Sequence, residues 1–230
     1  PGSYRIEVDA NGERSFQYWR EQSAARYLLT GDAYDKELAS LADIDYLYLS
    51  GISLAILPRH DRQKLIDGLL RAKERGSKIC FDSNYRHKLW ASTDEAQLWY
   101  RKILQITDIA FLTFDDECQL WGDSSPEDVF ARCRFYGIPE VVLKRGEESC
   151  LIETNDKKYA VKAISIPSEK VIDTTAAGDS FNAGYLASRL QGEVLPAECA
   201  ALGHCLASEV IQHRGAIISR KLVEGLFKSG

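Results

Sequence analysis

Apolar and polar positions alternate at the start of the chain. Tyr4, Ile6 and Val8 are interleaved with Arg5, Glu7 and Asp9, and a second β-prone run, Ser15-Phe16-Gln17-Tyr18-Trp19, follows Ala10-Asn11-Gly12-Glu13. Asn-Gly between two such runs favours a type I′ turn, whose two central residues both take positive φ. The pattern predicts a β-hairpin with strands near 4–9 and 14–19. A lone hairpin is marginal in water, so it needs a partner sheet or another subunit. After it the period changes. Residues 34–42 read as a helix and Ile44 to Leu49 as a buried strand. A helix over 58–75 follows, with Pro58 in its first turn and Leu65, Ile66, Leu69 and Leu70 as its apolar stripe; Gly76 ends it. Strands are expected at 78–82, 108–112 and 140–144, with helices at 94–106, 115–121 and 125–136 between them. Cys150 to Glu153 and Tyr159 to Ile164 read as a meander. Val171 to Asp173 reads as a strand end leading into a helix at 177–190, and a last helix runs from 196 to 213. Strands alternating with helices of this length predict an α/β fold, a three-layer αβα sandwich on a mostly parallel sheet.

Composition narrows the function. The chain has 230 residues, 45% of them apolar and 27% charged, which is enough for a core without disulfide or metal staples. A net charge of −5 argues against a nucleic-acid binder, which needs a basic surface to displace counterions, but leaves room for a local basic pocket. No run of about 18 apolar residues exists that would span a membrane. Cys80, Cys118, Cys133, Cys150, Cys199 and Cys205 are scattered with no CxxC pair, the pattern of buried thiols in a reducing cytoplasm. His60, His87, His204 and His213 show no metal-binding spacing. There is no Met, and the first residue is Pro1, so residues are expected before it.

In an open parallel sheet, ligands bind beyond the carboxyl ends of the strands. The polar residues there are Ser50-Gly51, Asp82 to Arg86, Thr113 to Glu117, Lys144-Arg145-Gly146 and Asp173 to Asp179. The last stretch, Asp173-Thr174-Thr175-Ala176-Ala177-Gly178-Asp179-Ser180-Phe181, is the richest. Its small residues let backbone N–H groups approach a ligand, and a helix N-terminus favours an anion. Asp179 in the first helical turn suits a base that takes a proton from an attacking hydroxyl. By spacing alone it equally suits a carboxylate that complements the helix dipole. Neither GxxxxGK[ST] nor GxGxxG after a strand is present, which excludes a P-loop and weakens a dinucleotide site.

The stretch Asp173–Phe181 resembles the D-T-x-G-A-G-D-x-F signature of the ribokinase-like, PfkB-type carbohydrate kinases, and the resemblance covers the whole chain. Tyr18-Trp19-Arg20, Tyr46 to Ser53, Phe81 to Arg86 and Val142 to Gly146 resemble the subgroup acting on 2-keto-3-deoxygluconate, as does Ala176 where the broad family has Gly. The resemblance implies ATP-dependent phosphorylation of that sugar acid at C6, with Mg²⁺. It implies that Ala176, Ala177 and Gly178 form a backbone anion hole and that Asp179 is the base. Lys144, Arg145, Gly146, Glu147, Glu148 and Ser149 would border the nucleotide. Tyr4, Tyr18, Trp19, Arg20 and Arg86 would hold the sugar acid, with Asn84 between sugar and phosphates. Residues 1–20 would be part of a β lid and 21–230 the core, with copies of the chain joining through the lid. Asp173 and Thr175 are the candidates for K⁺.

The two arginines fit the chemistry independently, because Arg recognises a carboxylate bidentately; they also read as two surface arginines among many. Two departures from the family stand out. Its N-x-x-E motif is replaced by Thr113-Phe114-Asp115-Asp116, so Asp116 stands for the Glu as a candidate for Mg²⁺, and helix capping by Asp115 or Asp116 is an equal reading. The family's opening strands are also expected before Pro1. Three rivals remain: another ribokinase-like sugar kinase such as a fructokinase, a non-catalytic sugar or nucleotide sensor on the same fold, and a fragment that only oligomerises.

Overall fold

The computed structural model describes residues 2–8, 14–19, 23–30, 44–192 and 194–225. The chain divides into two compact units, Pro1–Asp108 and Ile109–Gly230.

In the first unit, β1 (Ser3–Val8) and β2 (Arg14–Trp19) pair antiparallel, with Tyr4 opposite Tyr18. This is the hairpin expected from the alternation; its Asn11-Gly12 turn and the helix expected at 34–42 lie outside the described residues. β3 (Tyr46–Ser50) pairs in parallel with β4 (Lys78–Asp82). The expected buried strand at 44–49 is corrected: β3 starts two residues later, and of its five residues only Leu49 is buried, with Tyr48 44% exposed. Between the two strands lie α1 (Gly51–Ile56), which the sequence reading missed, and α2 (Arg59–Glu74). Ser50 starts α1 with a reciprocal capping box to Ser53. The φ of Pro58 suits the entry to α2, where it is the N-cap. The α2 stripe holds Ile66 and Leu69 in the core but leaves Leu70 41% exposed, since it lies a quarter-turn off that face. The last helix of the unit is α3 (Thr93–Leu104), capped by Ser92.

Arg62 locks this unit. Its Nε donates to Leu54 O and Leu57 O at 2.9 and 3.0 Å, one Nη donates to Ala55 O at 3.1 Å, and the other pairs with Glu95 at 2.9 Å. One guanidinium therefore satisfies the open carbonyls at the end of α1 and ties them to α3.

In the second unit, β5 (Ile109–Thr113) and β6 (Glu140–Lys144) are parallel, and β7 (Cys150–Thr154) and β8 (Lys158–Val161) add antiparallel strands. This part of the sheet is thus mixed, as the meander implied. α4 (Phe114–Trp121) and α5 (Pro126–Phe135) connect β5 to β6. Gly122, at φ 77°, ends α4, and Ser125 with Pro126 starts α5. Two longer helices follow, α6 (Ala177–Arg189) and α7 (Pro196–Val210), and then a short α8 (Arg220–Val223). No strand forms over 171–173, which corrects the expected strand end before α6. The N–H groups of Ile172 and Asp173 both donate to Ile211 O just past α7, so no sheet neighbour receives them. All six cysteines are free thiols, four of them buried. No helix of the described residues is long and apolar enough to cross a membrane.

Candidate active site

β5 and β6 are in register with Thr113 opposite Lys144, so both chain segments leave the sheet at the same end. α4 begins at once after Thr113. Thr113 is its N-cap but makes no side-chain bond, and Asp115, Asp116 and Glu117 fill the first turn. The N-cap position falls on Thr113, so Asp115 and Asp116 stand within the first turn, where carboxylates complement the helix dipole. Glu117 is buried and pairs with Arg132 at 2.8 Å, and Arg132 also pairs with Asp123 at 2.5 Å. That network fastens α4 to α5 and holds the turn that carries Asp116. The sequence reading missed it, because nothing local marks Arg132 as the partner.

After β6, the loop 145–149 closes on itself. Arg145 Nε donates to Ser149 O at 2.9 Å, its Nη1 pairs with Glu148 at 2.6 Å, and Gly146 takes φ 60°. Lys144 turns elsewhere. Its Nζ donates to Asn182 Oδ1 on α6 at 3.0 Å, and a Cβ placed on Gly178 would stand 3.5 Å from that Nζ. The expected nucleotide-bordering Lys144 and the expected anion-hole Gly178 are thus in direct proximity.

The segment expected to form an anion hole opens α6 on a strained residue. Ala176 is the N-cap of α6 and sits at φ 62°, a left-handed conformation that an alanine adopts only against steric cost. Ala177 N–H is taken by Thr174 O, and Ser180 N–H by Ala176 O. The first-turn N–H of Gly178 has no acceptor one turn back within the helix. Asp179 follows it directly. Asp173 braces the loop: one carboxylate oxygen accepts Thr175 N–H at 2.9 Å and the other Gly215 N–H at 3.0 Å.

Two braces hold α6 against β6. Asn182 is one. At the far end, buried Glu140 accepts the Tyr185 hydroxyl at 2.7 Å and pairs with Arg189 at 3.2 Å. Burial in this apolar setting, beside the Glu140 charge, pushes the Tyr185 phenol far above its usual range. Asn182 was also absent from the sequence reading, although its position three residues after Asp179 puts it on the same helix face.

Within the first unit, the other candidate residues lie in the segment after β4. Asp82 is buried and accepts the Tyr48 hydroxyl at 3.3 Å. Ser83 O accepts the hydroxyl of Tyr100. Asn84 takes φ 34°, and Arg86 is exposed, with Nη1 donating to Tyr85 O at 2.8 Å. Gly51 is obligatory here: a Cβ would collide with the Tyr100 hydroxyl and the Ser83 carbonyl. In the hairpin, Trp19 is 55% exposed, and Tyr4 and Tyr18 are cross-strand partners by backbone register. Arg20 lies outside the described residues.

Among the described residues, no group of three or more His, Cys, Asp or Glu side chains is gathered for a metal ion.

The profile described as pfkB family carbohydrate kinase matches residues 1–222. The chain belongs to the pfkB family of carbohydrate kinases. It is 52% identical over 222 residues to the 2-dehydro-3-deoxygluconokinase of Escherichia coli K12, covering 96% of this chain and 72% of that enzyme. A PfkB protein from Polaromonas sp. JS666 matches with a TM-score of 0.78 at 24% identity, over 97% of this chain and 70% of the other. The Arabidopsis thaliana ribokinase complexed with ribose and ATP matches with a TM-score of 0.72 at 20% identity, over the whole of this chain and 70% of the other. These solved structures share the ribokinase-like fold expected from the sequence. As a pfkB kinase, the chain has its Asp173–Phe181 signature at the N-terminus of α6, the helix that Lys144 and Glu140 of β6 both grip.

Proposed function

We propose that the chain transfers the γ-phosphoryl group of ATP to the C6 hydroxyl of 2-dehydro-3-deoxygluconate, releasing ADP and the 6-phosphate. The observation that carries this reading is the 52% identity to a 2-dehydro-3-deoxygluconokinase across nearly the whole chain. The signature's position at a helix start supports it. In this reading Asp179 accepts the hydroxyl proton, the sugar oxygen bonds to phosphorus, and the bond from phosphorus to the β,γ-bridging oxygen breaks. Backbone N–H groups of Ala176 and Gly178 receive the charge on the phosphates, while that of Ala177, expected to join them, is given to Thr174 O. Mg²⁺ would neutralise phosphate charge, with Asp116 as the candidate carboxylate. A monovalent cation would use Asp173 and Thr175, in the loop that Asp173 braces by accepting the Thr175 and Gly215 N–H groups. Lys144 to Ser149 and Asn84 border the nucleotide. Tyr4, Tyr18, Trp19, Arg20 and Arg86 recognise the sugar acid, the arginines through its carboxylate. The hairpin acts as lid and as the contact between copies of the chain.

A coupled ADP-release assay with a substrate panel tests this. The keto acid should exceed fructose, ribose and a carboxylate-free analogue by roughly tenfold to a hundredfold or more in kcat/KM, the value of a charge-assisted hydrogen bond. A neutral sugar turned over as well as the acid would overturn the substrate assignment. ATP binding without turnover of any sugar would favour the sensor.

A further inference from the structure

The Tyr100 phenol on α3 holds the segment that follows β4. Tyr100 is 1% exposed, and its hydroxyl donates to Ser83 O, the carbonyl of a fully buried residue. Its ring meets Phe81 of β4 edge-on at 5.4 Å between centroids, Tyr85 at 6.1 Å and Trp90 at 5.9 Å. Tyr100 thus grips both neighbours of Asn84, Ser83 by its carbonyl and Tyr85 by its ring, while Asn84 takes φ 34° between them. The Tyr85 carbonyl in turn accepts from Arg86. Gly51 keeps this arrangement open: an added Cβ would stand 1.9 Å from the Tyr100 hydroxyl and 2.1 Å from Ser83 O. A phenylalanine would fill the same core without a polar atom to desolvate, so packing alone gives no reason for the hydroxyl. Its bond to Ser83 O does.

We infer that Tyr100 is a positioning residue for sugar-acid recognition: it fixes the backbone of residues 83–86 and through it sets Arg86 for the substrate carboxylate. The inference rests on the reading of Arg86 under the proposed function and deepens it. A residue at positive φ has competing conformations at negative φ, and even Asn, which tolerates the left-handed region, does not prefer it. With both flanks held, the backbone at Asn84 cannot relax to them. Without the hydroxyl bond it can, and a site that is competent for only part of the time has its apparent affinity lowered by that fraction. Buried Tyr100 acts through Arg86 and not on the substrate itself. Its loss therefore falls on a substrate that carries the carboxylate and spares one that does not.

The test compares 2-dehydro-3-deoxygluconate with its neutral carboxamide in the ADP-release assay, beside thermal unfolding of the same preparations. The variants are Tyr100→Phe, Trp90→Phe, Arg86→Gln and the double variant Tyr100→Phe/Arg86→Gln. Tyr100→Phe keeps the ring and removes the hydroxyl. Its kcat/KM for the acid relative to the amide should fall by roughly threefold to tenfold, up to the worth of one hydrogen bond, with the change lying in the KM of the acid. The double variant should discriminate no worse than Arg86→Gln alone, because both act through one guanidinium. Trp90→Phe trims a ring packed on the same phenol and leaves the hydroxyl bond, so it should lower Tm and keep the acid-to-amide ratio. A ratio in Tyr100→Phe within about twofold of wild type, whatever its Tm, would overturn the inference and make Tyr100 a core residue only. So would additive losses in the double variant. If Tyr100→Phe does not fold, Tyr85→Leu decides by the same ratio: it frees the other flank of Asn84 and should lower the preference for the acid, and an unchanged preference overturns the inference. A wild-type chain that turns over acid and amide equally refutes the reading of Arg86, and the inference with it. A wild-type chain that prefers the acid, with Tyr100→Phe preferring it as strongly, refutes the inference alone.

Discussion

Gly184→Ala tests how α6, the helix that carries the proposed base Asp179, is seated. A Cβ at Gly184 would lie 2.9 Å from both Gly203 Cα and Leu202 O of α7, and 3.1 Å from Gly203 N. All three are backbone atoms, so no rotamer change can give way. Ordinary contact begins near 3.4 Å, so α6 and α7 must part by about half an ångström. Overpacking of this kind costs about 1–3 kcal/mol. Replacing Gly by Ala within a helix returns about 1 kcal/mol. The net loss is then about 0–2 kcal/mol, which for a chain of this size lowers Tm by at most roughly 8 °C. Activity should suffer more than stability, because Asp179 sits five residues before Gly184 on the helix that moves. A misplaced reacting group can cost up to about 10²-fold. The reciprocal contact sharpens the test: a Cβ at Gly203 would lie 2.8 Å from Phe181 O and 3.0 Å from the Phe181 ring. The two substitutions crowd one interface, so the double variant should lose more than the sum of the singles. Thermal unfolding and kcat are measured on the same preparations. If Gly184→Ala raises Tm by the full helix-propensity gain and leaves kcat intact, the close approach of α6 and α7 is refuted.

The remaining predictions address other groups. Asp179→Asn should lower kcat by roughly 10²–10⁴ and leave binding of an ATP analogue nearly intact; retention of more than about a tenth of wild-type kcat would remove it as the base. Arg62→Met strips Glu95 and three carbonyls of their partner and should cost about 3–5 kcal/mol in urea unfolding; Arg62→Lys should recover less than half, since one ammonium cannot span all four acceptors. Partial burial holds the His204 imidazole below its ordinary value of 6.5. The unfolded chain therefore binds the proton first, and stability falls as pH drops through about 6.5 towards the lower folded-state value. His204→Asn should flatten that part of the acid limb in a stability-against-pH series, and an unchanged limb would assign it to other groups.

The sequence by itself determined the elements whose signals are local. The alternation of Tyr4, Ile6 and Val8 marks the hairpin, Ser125-Pro126 starts α5, Gly122 ends α4, and Asp173–Phe181 marks a small-residue helix entry with a carboxylate in its first turn. Such features depend on neighbours within one turn or one strand, so the chain carries them openly. Other features depend on residues far apart in sequence. Lys144 and Asn182 are 38 positions apart, and only the packing of α6 on β6 makes them partners. The entry to α6 lacks its expected strand because Ile211, across the length of α6 and α7, takes both N–H groups. A pattern reading saw Ala176 as merely small, whereas the tertiary structure forces it to φ 62°. Nothing local marks Arg62 on α2 as the residue on which the end of α1 comes to rest. Local propensity records what each segment prefers; which groups meet at the helix end is decided only when the chain's long-range packing brings them together.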